Sequence, residues 1–321
     1  MKWSKFTLNN YKKISKIDII KKDLLIDKMI KDKNNIIKIN DIKFDISYTT
    51  IDRDLINEKS SIKWVYSKGL FNDLDNLKSE IEIKWNNNIL YIKCNENKLV
   101  NILNRLPTLL KMINFINNNN NKLKIYLILS NLKKDIDKNN YNLEAKQINS
   151  GYSHSIEKYI FIWREEEFEK VLFHELIHLL NKDHRDEIYD LDKQNNNLFF
   201  EALTDTKAIY YNIIYLSILT KDDIKKLFTI ELSFIINQAN LMNYLLNNKY
   251  NEISPVSSYY IIKSKIFKYI LSDKMNDDLY EKLFVLNTFG NELINTIYND
   301  ELHYIPFENV NSSRMTILEL N

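Results

Sequence analysis

The stretch Val-Leu-Phe-His-Glu-Leu-Ile-His-Leu-Leu occupies residues 171–180 and places His174, Glu175 and His178 in the pattern HExxH. The apolar residues around the motif recur at helical spacing, and side chains four positions apart share one face of a helix. The two imidazoles can therefore bind one Zn²⁺, and Glu175 can act as general base toward a water at the metal. The alternative is that both histidines are ordinary helix residues with satisfied hydrogen bonds.

A catalytic zinc site needs a third protein ligand, for which the sequence offers two candidates. Glu201 lies in Phe-Phe-Glu-Ala-Leu-Thr-Asp (199–205), on a predicted helix downstream of the motif. Asp205 follows one turn later, where its carboxylate can accept a hydrogen bond from a zinc-binding histidine, most simply His174. The alternative third ligand is His184, which completes the metzincin spacing with Asn181 in place of the usual glycine.

The combination of HExxH with a later helix carrying ExxxD resembles the gluzincins, the thermolysin-like zinc metallopeptidases. The resemblance spans residues 145–220 and implies Zn²⁺ as the cofactor, bound by His174, His178 and Glu201. It also implies Glu175 as the general base and Asp205 as the residue that supports a zinc ligand from behind. One departure is Phe200, where thermolysin-like enzymes carry Asn. The metzincin alternative requires a methionine beneath the metal, and neither Met242, within a helical pattern, nor the distant Met315 is well placed.

A looser resemblance extends over three short segments on both sides of the active-site motif. Ile-Asn-Ser-Gly-Tyr-Ser (148–153), Ile-Phe-Ile-Trp-Arg-Glu-Glu-Glu (160–167) and His-Glu-Leu-Ile-His (174–178) resemble predicted metallopeptidases of large DNA viruses. The abundance of Asn, Ile and Lys, typical of AT-rich genomes, agrees with that resemblance. It would place the protein in the host cytoplasm or the virion.

Peptide hydrolysis also needs a donor that stabilises the oxyanion of the tetrahedral intermediate. The resemblance implies a Tyr or His in the carboxyl-terminal helical part, and we name Tyr260 as this second catalytic residue. Tyr259, His303 and Tyr304 are the other candidates.

Two further residues could contact a substrate. His154 would lie near the cleft if the segment 148–153 is an edge strand that aligns an extended peptide, although a solvent-exposed position without a role is the simpler interpretation. Arg314 could bind the carboxylate of an exopeptidase substrate, against a surface or structural role.

Composition narrows the partners and the compartment. The 321 residues are 45% hydrophobic with a formal net charge of +2, which predicts a folded protein with no affinity for nucleic acid or membrane. The peptide or protein substrate is implied by the resemblance to zinc metallopeptidases. Only three glycines occur, which excludes glycine-rich phosphate loops. The single cysteine, Cys94, and the lack of a signal-peptide pattern predict an intracellular protein.

The pattern along the chain predicts an α+β fold. It contains a β-hairpin around Asn86–Asn88, a helix over 98–117 that Pro107 kinks or breaks, strands at 122–130, 146–153 and 158–163, the motif helix with Glu165–Glu167 in its first turn, and helices at 198–219, 223–247 and 256–272.

We therefore expect a zincin-like metallopeptidase domain over residues 79–321, preceded by an accessory region over 1–78. Its twisted mixed sheet is backed by a helix, with the active-site helix beneath the cleft and a mainly helical carboxyl-terminal subdomain. The alternative function is a non-catalytic binding or structural protein in which zinc only stabilises the helices.

Overall fold

The computed structural model describes residues 2–11, 24–62, 65–118, 121–134, 142–143, 145–180, 193–248, 251–252, 257–271, 277, 314–316 and 318–320. The predicted hairpin is confirmed, because β2 (Ser79–Trp85) and β3 (Asn88–Cys94) pair antiparallel. Alternate side chains of β3 are buried, as expected of a strand with one covered face. Asn86 adopts a left-handed conformation (φ 48°) in the turn between them, which asparagine tolerates well.

These two strands belong to a six-stranded mixed sheet in an α+β fold, with the order β1-β2-β3-β4-β7-β6. The central strands β3, β4 and β7 are parallel, whereas β1, β2 and β6 run antiparallel to their neighbours. Strands β5 and β8 form a separate two-stranded pair. The strands not yet given are β1 (Asp45–Tyr48), β4 (Lys124–Ser130), β5 (Asn142–Leu143), β6 (Gly151–His154), β7 (Tyr159–Arg164) and β8 (Asn251–Glu252).

Helices cover both faces of this sheet. They are α1 (Lys5–Tyr11), α2 (Leu24–Ile37), α3 (Arg53–Ser60), α4 (Ser67–Asp73), α5 (Glu96–Asn117), α6 (Ala145–Ile148), α7 (Phe168–Leu179), α8 (Lys193–Thr220), α9 (Ile224–Asn248) and α10 (Lys263–Ile270), with a 3-10 turn at Leu74–Asn76 and a π-helical turn at Ser257–Ile262. Within the described helices, none is both long and apolar enough to cross a membrane.

The main core lies between one face of the sheet and the helices α2, α5, α7, α8 and α9. Helix α5 runs unbroken through Pro107, so the expectation of a break was wrong. The lost backbone hydrogen bond costs roughly 3 kcal/mol. Burial of Leu106, Leu109 and Leu110 beside the proline offsets that cost.

The described residues among the first 78 share this architecture. Strand β1 extends the sheet by pairing with β2, and α2 packs on α8 and contributes to the main core. Helices α3 and α4 cover the opposite face of the sheet, where Ile56 and Leu70 pack with Phe161 and neighbouring side chains. A separate accessory role for this region stays a prediction.

Three local expectations need correction. The segment before Gly151 begins with the helical turn α6 rather than an extended strand. Glu165–Glu167 precede α7 instead of forming its first turn, because the Glu167 carboxylate accepts hydrogen bonds from distant backbone groups. The short strand β8 also occurs in the part of the chain expected to be wholly helical, where it pairs with β5.

Candidate metal centre

Helix α7, which carries the HExxH motif, is buried along nearly its whole length. Every residue from Phe168 to Ile177 is buried, since the helix lies between strands β6 and β7 and helix α8. A helix enclosed on all sides needs apolar residues around its circumference. The polar residues that remain in α7 therefore need specific partners.

Three of the predicted ligands converge at the junction of α7 and α8. Glu201 Oε2 lies 3.5 Å from His174 Nε2 and 3.3 Å from His178 Nε2, and the two Nε2 atoms are 2.9 Å apart. Ligand atoms on a tetrahedral zinc with bonds of about 2.1 Å are about 3.4 Å apart. Two of the three separations match this value, and the imidazoles need to separate by about 0.5 Å to match it as well.

The chemistry of the donor set also fits zinc. Two imidazole nitrogens and one carboxylate oxygen are a ligand set of catalytic zinc sites, and the three atoms lie within 4.8 Å of one another. All three side chains are at most 18% exposed, so water competes weakly for them. Among the described residues, this is the one His, Cys, Asp and Glu cluster with such geometry.

Asp205 lies directly behind His174, as the i, i+4 spacing from Glu201 predicts. Its Oδ1 atom is 3.2 Å from His174 Nδ1, and the side chain is fully buried. An ionised carboxylate only accepts hydrogen bonds, so Nδ1 of His174 donates and its Nε2 lone pair is left for a metal.

Two buried lysines hold Asp205 in its ionised form. Lys170 donates to Oδ1 and Lys263 donates to Oδ2 over 2.7 Å. Burial alone would raise the pKa of Asp205, but the charges of Lys170 and Lys263, followed by the hydrogen bond to His174, hold that pKa well below its ordinary value. Burial also lowers the pKa of Lys263, and Asp205 opposes that shift.

Glu175, the predicted base, lies where strand β6 crosses α7. A Cβ atom placed on Gly151 would be 3.3 Å from Glu175 Cγ and 2.7 Å from Val171 Cγ1. Only a residue without a side chain lets the strand approach the helix so closely. In the described part of the chain the Glu175 carboxylate has no hydrogen-bond partner, although the residue is only 7% exposed.

Among the described residues, no strand pairs with the outer edge of β6, which we call the open edge. Trp163 donates its backbone N–H to the carbonyl of Ser150, and hydrogen-bonded pairs alternate along an antiparallel ladder. Tyr152 and His154 therefore direct their backbone groups toward β7. Gly151 and Ser153 direct theirs toward the open edge.

The adjacent tyrosines of the π-helical turn occupy different environments. The hydroxyl of Tyr259 is 3.3 Å from Glu201 Oε2, and its ring centroid is 5.9 Å from that of His174. Tyr260 packs instead with Ile148, Met242 and Met315 and is 1% exposed. Burial, with Glu167 and Asp205 nearby, raises the pKa of Tyr260. Of the two, Tyr259 is the one that adjoins the cluster.

The remaining candidates lie away from the cluster or beyond the described residues. His154 stacks on the ring of Tyr159 at 5.1 Å and accepts a hydrogen bond from the backbone of Glu157. Arg314 is buried in ion pairs with Glu166 and Glu319, which agrees with a structural role. The residues that lie outside the described part of the chain are His184, His303 and Tyr304.

Sequence reasoning missed Lys170 and Lys263, although each carries a recognisable signal. Lys170 is a charged residue in an apolar helix, one turn before His174 and on the same face. Lys263 follows Tyr259 by one turn in the same way. A buried-helix pattern that includes a lysine on the ligand face indicates a buried anion nearby.

Comparisons with protein-family models, with curated proteins and with solved structures find no match to this chain. We therefore infer the function from the chemistry and geometry of the site.

Proposed function

We propose that the protein is a zinc-dependent metallopeptidase with a zincin-type fold, acting on peptide or protein substrates. The observation that carries the proposal is the convergence of the ligand atoms of His174, His178 and Glu201. The two histidines come from one helix and the glutamate from the next, so the fold itself brings the three ligands together.

Zinc held by these side chains would polarise a scissile carbonyl and make a nearby water more acidic. Glu175 takes the proton from the attacking water and passes it to the leaving nitrogen. Its position supports this role, because it follows His174 directly on α7 and has no hydrogen-bond partner among the described residues. The enclosing core limits access of bulk water to the base.

The open edge of β6 supports a peptide substrate in particular. The outward backbone groups of Gly151 and Ser153 can pair with an extended chain that adds to the sheet. Such a chain would cross α7 beside Glu175, since Gly151 is in close contact with that residue. The edge then sets the register in which successive peptide bonds reach the site.

We assign the oxyanion donor to Tyr259. Its hydroxyl reaches the Glu201 carboxylate, whereas the Tyr260 ring is enclosed by apolar side chains. A π-helical turn is a rare local geometry that often marks functional residues, and it turns these neighbours toward different surroundings.

The test is hydrolysis of a library of fluorogenic peptides by the zinc-loaded wild type and Glu175→Gln. The variant keeps the shape of the side chain and all three ligands, so we expect full zinc content and a loss of about 10²- to 10⁴-fold in kcat. Glu96→Gln, at an exposed position in the first turn of α5, is the matched control and retains activity. Equal rates for Glu175→Gln and wild type would refute the assignment.

A further inference from the structure

The carboxylate of Asp205 is held from two sides by cations. Lys170 reaches Oδ1, the oxygen that also lies 3.2 Å from His174 Nδ1, and Lys263 reaches Oδ2 at 2.7 Å. Asp205 is fully buried and both lysine side chains are at most 2% exposed. These contacts leave the carboxylate little freedom to rotate.

Both lysines are themselves anchored by the carboxyl-terminal segment 314–316. Lys263 donates to the carbonyl of Met315 at 3.1 Å, and Lys170 lies 3.5 Å from its sulfur. The same segment is pinned to the start of α7, because the N–H groups of Met315 and Thr316 donate to Glu167. The two ammonium groups are thus held by segment 314–316 on one side and by the Asp205 carboxylate on the other.

We propose that Lys170 and Lys263 are positioning residues of the metal centre, which act through Asp205 to orient the imidazole of His174. This inference rests on the proposed zinc site. Neither lysine touches a ligand in the structure; their effect reaches His174 through the orientation of the carboxylate. Groups that hydrogen-bond a metal ligand change metal affinity roughly 10- to 100-fold when they are replaced.

The experiment measures the zinc dissociation constant by chelator competition for wild type, Lys170→Met and Lys263→Met. We expect the zinc dissociation constant of each variant to rise roughly tenfold. This is the lower end of the range for groups that hydrogen-bond a metal ligand, because the lysines act on His174 only through Asp205. Visible spectra of the cobalt-substituted proteins should shift as well, since they report ligand geometry and do not respond to general stability.

Lys59→Met is the matched control. Lys59 is buried like the two positioning lysines and pairs with Glu58 at 2.9 Å and with Glu157 at 2.8 Å, but it lies in α3, on the opposite face of the sheet. Its loss should lower stability while leaving zinc affinity and the cobalt spectrum at wild-type values. If a methionine variant fails to fold, the arginine variants at 170 and 263 should weaken zinc binding, because the donor atom moves, whereas Lys59→Arg should not.

The possible failures are distinguishable. Wild type that does not bind zinc would overturn the proposed metal centre and this inference together. Wild type that binds zinc, with the variants at Lys170 and Lys263 within about twofold of it, would overturn this inference alone. Equal weakening in the Lys59 variant would assign the effect to general stability and would also overturn it.

Discussion

Replacement of Gly151 by alanine tests whether the contact between strand β6 and helix α7 is needed for the proposed activity. The new Cβ would lie 2.7 Å from Val171 Cγ1, 3.2 Å from Ile162 Cγ1 and 3.3 Å from Glu175 Cγ. Carbon atoms in good contact are about 3.5–4.0 Å apart, so the strand and helix must separate by roughly 1 Å. Overpacking of this kind costs about 1–3 kcal/mol of unfolding free energy.

The same displacement moves the open edge relative to the Glu175 carboxylate. A misplacement of about 1 Å in an active site can lower the rate about 10²-fold. We therefore expect Gly151→Ala to reduce kcat/KM for peptide hydrolysis by about that factor while the zinc content stays unchanged. Urea unfolding followed by circular dichroism measures the stability loss in the same preparations.

Two further variants show whether the contact itself is responsible. Gly69→Ala places a Cβ against the Tyr66 ring in α4, on the opposite face of the sheet, and should lower stability without affecting kcat/KM. Gly151→Ala combined with Val171→Ala removes the closest clash and should recover most of the activity. Wild-type kcat/KM and stability in Gly151→Ala would show that the close contact between β6 and α7 is not needed.

Three other predictions follow from the surroundings of the site. Tyr259→Phe should lower kcat about 10²-fold with little change in KM, and Tyr260→Phe should leave kcat near wild type. If steady-state kinetics show the larger loss of kcat in Tyr260→Phe, Tyr260 is the oxyanion donor and Tyr259 is not. Asp205→Asn should weaken zinc binding by about 10- to 100-fold in a chelator competition, and unchanged affinity would argue against its contact with His174. Burial opposes ionisation of Glu167, but the charges of Lys134 and Lys170 outweigh burial and lower the pKa of Glu167 from 4.5. The ionised carboxylate therefore stabilises the fold fully above pH 4.5, and this stabilisation is lost as the pH falls through the folded-state pKa. The stability deficit of Glu167→Gln in urea unfolding should therefore be full at pH 6 and smaller at pH 3, and a deficit that grows on acidification would contradict this.

The parts of the fold that could be predicted depend on short-range periodicity. Alternation of apolar with polar or charged residues predicted the β2–β3 hairpin, and the 3.6-residue period predicted the helices that carry the motif and Glu201. Asp205 could be named because one helical turn separates it from Glu201. Spacing within a single helix needs no knowledge of the tertiary structure.

The rest depends on contacts between distant parts of the chain. Glu167 looked like a residue of the first helical turn, yet its carboxylate accepts hydrogen bonds from residues 148 and 149 positions away. The pairing of Lys263 with Asp205 crosses 58 positions. The choice between Tyr259 and Tyr260 depends on a π-helical turn, in which the side chains do not follow the 3.6-residue period of an α-helix.

The zinc content of the purified protein tests the central claim most directly, by elemental analysis of wild type, Glu201→Ala and His184→Ala, with circular dichroism to confirm folding. We expect a single zinc in wild type and in His184→Ala, and its loss in Glu201→Ala, because the Glu201 carboxylate meets both histidines. Wild type without zinc after reconstitution, or a Glu201→Ala variant that retains it, would disprove the proposed metal centre.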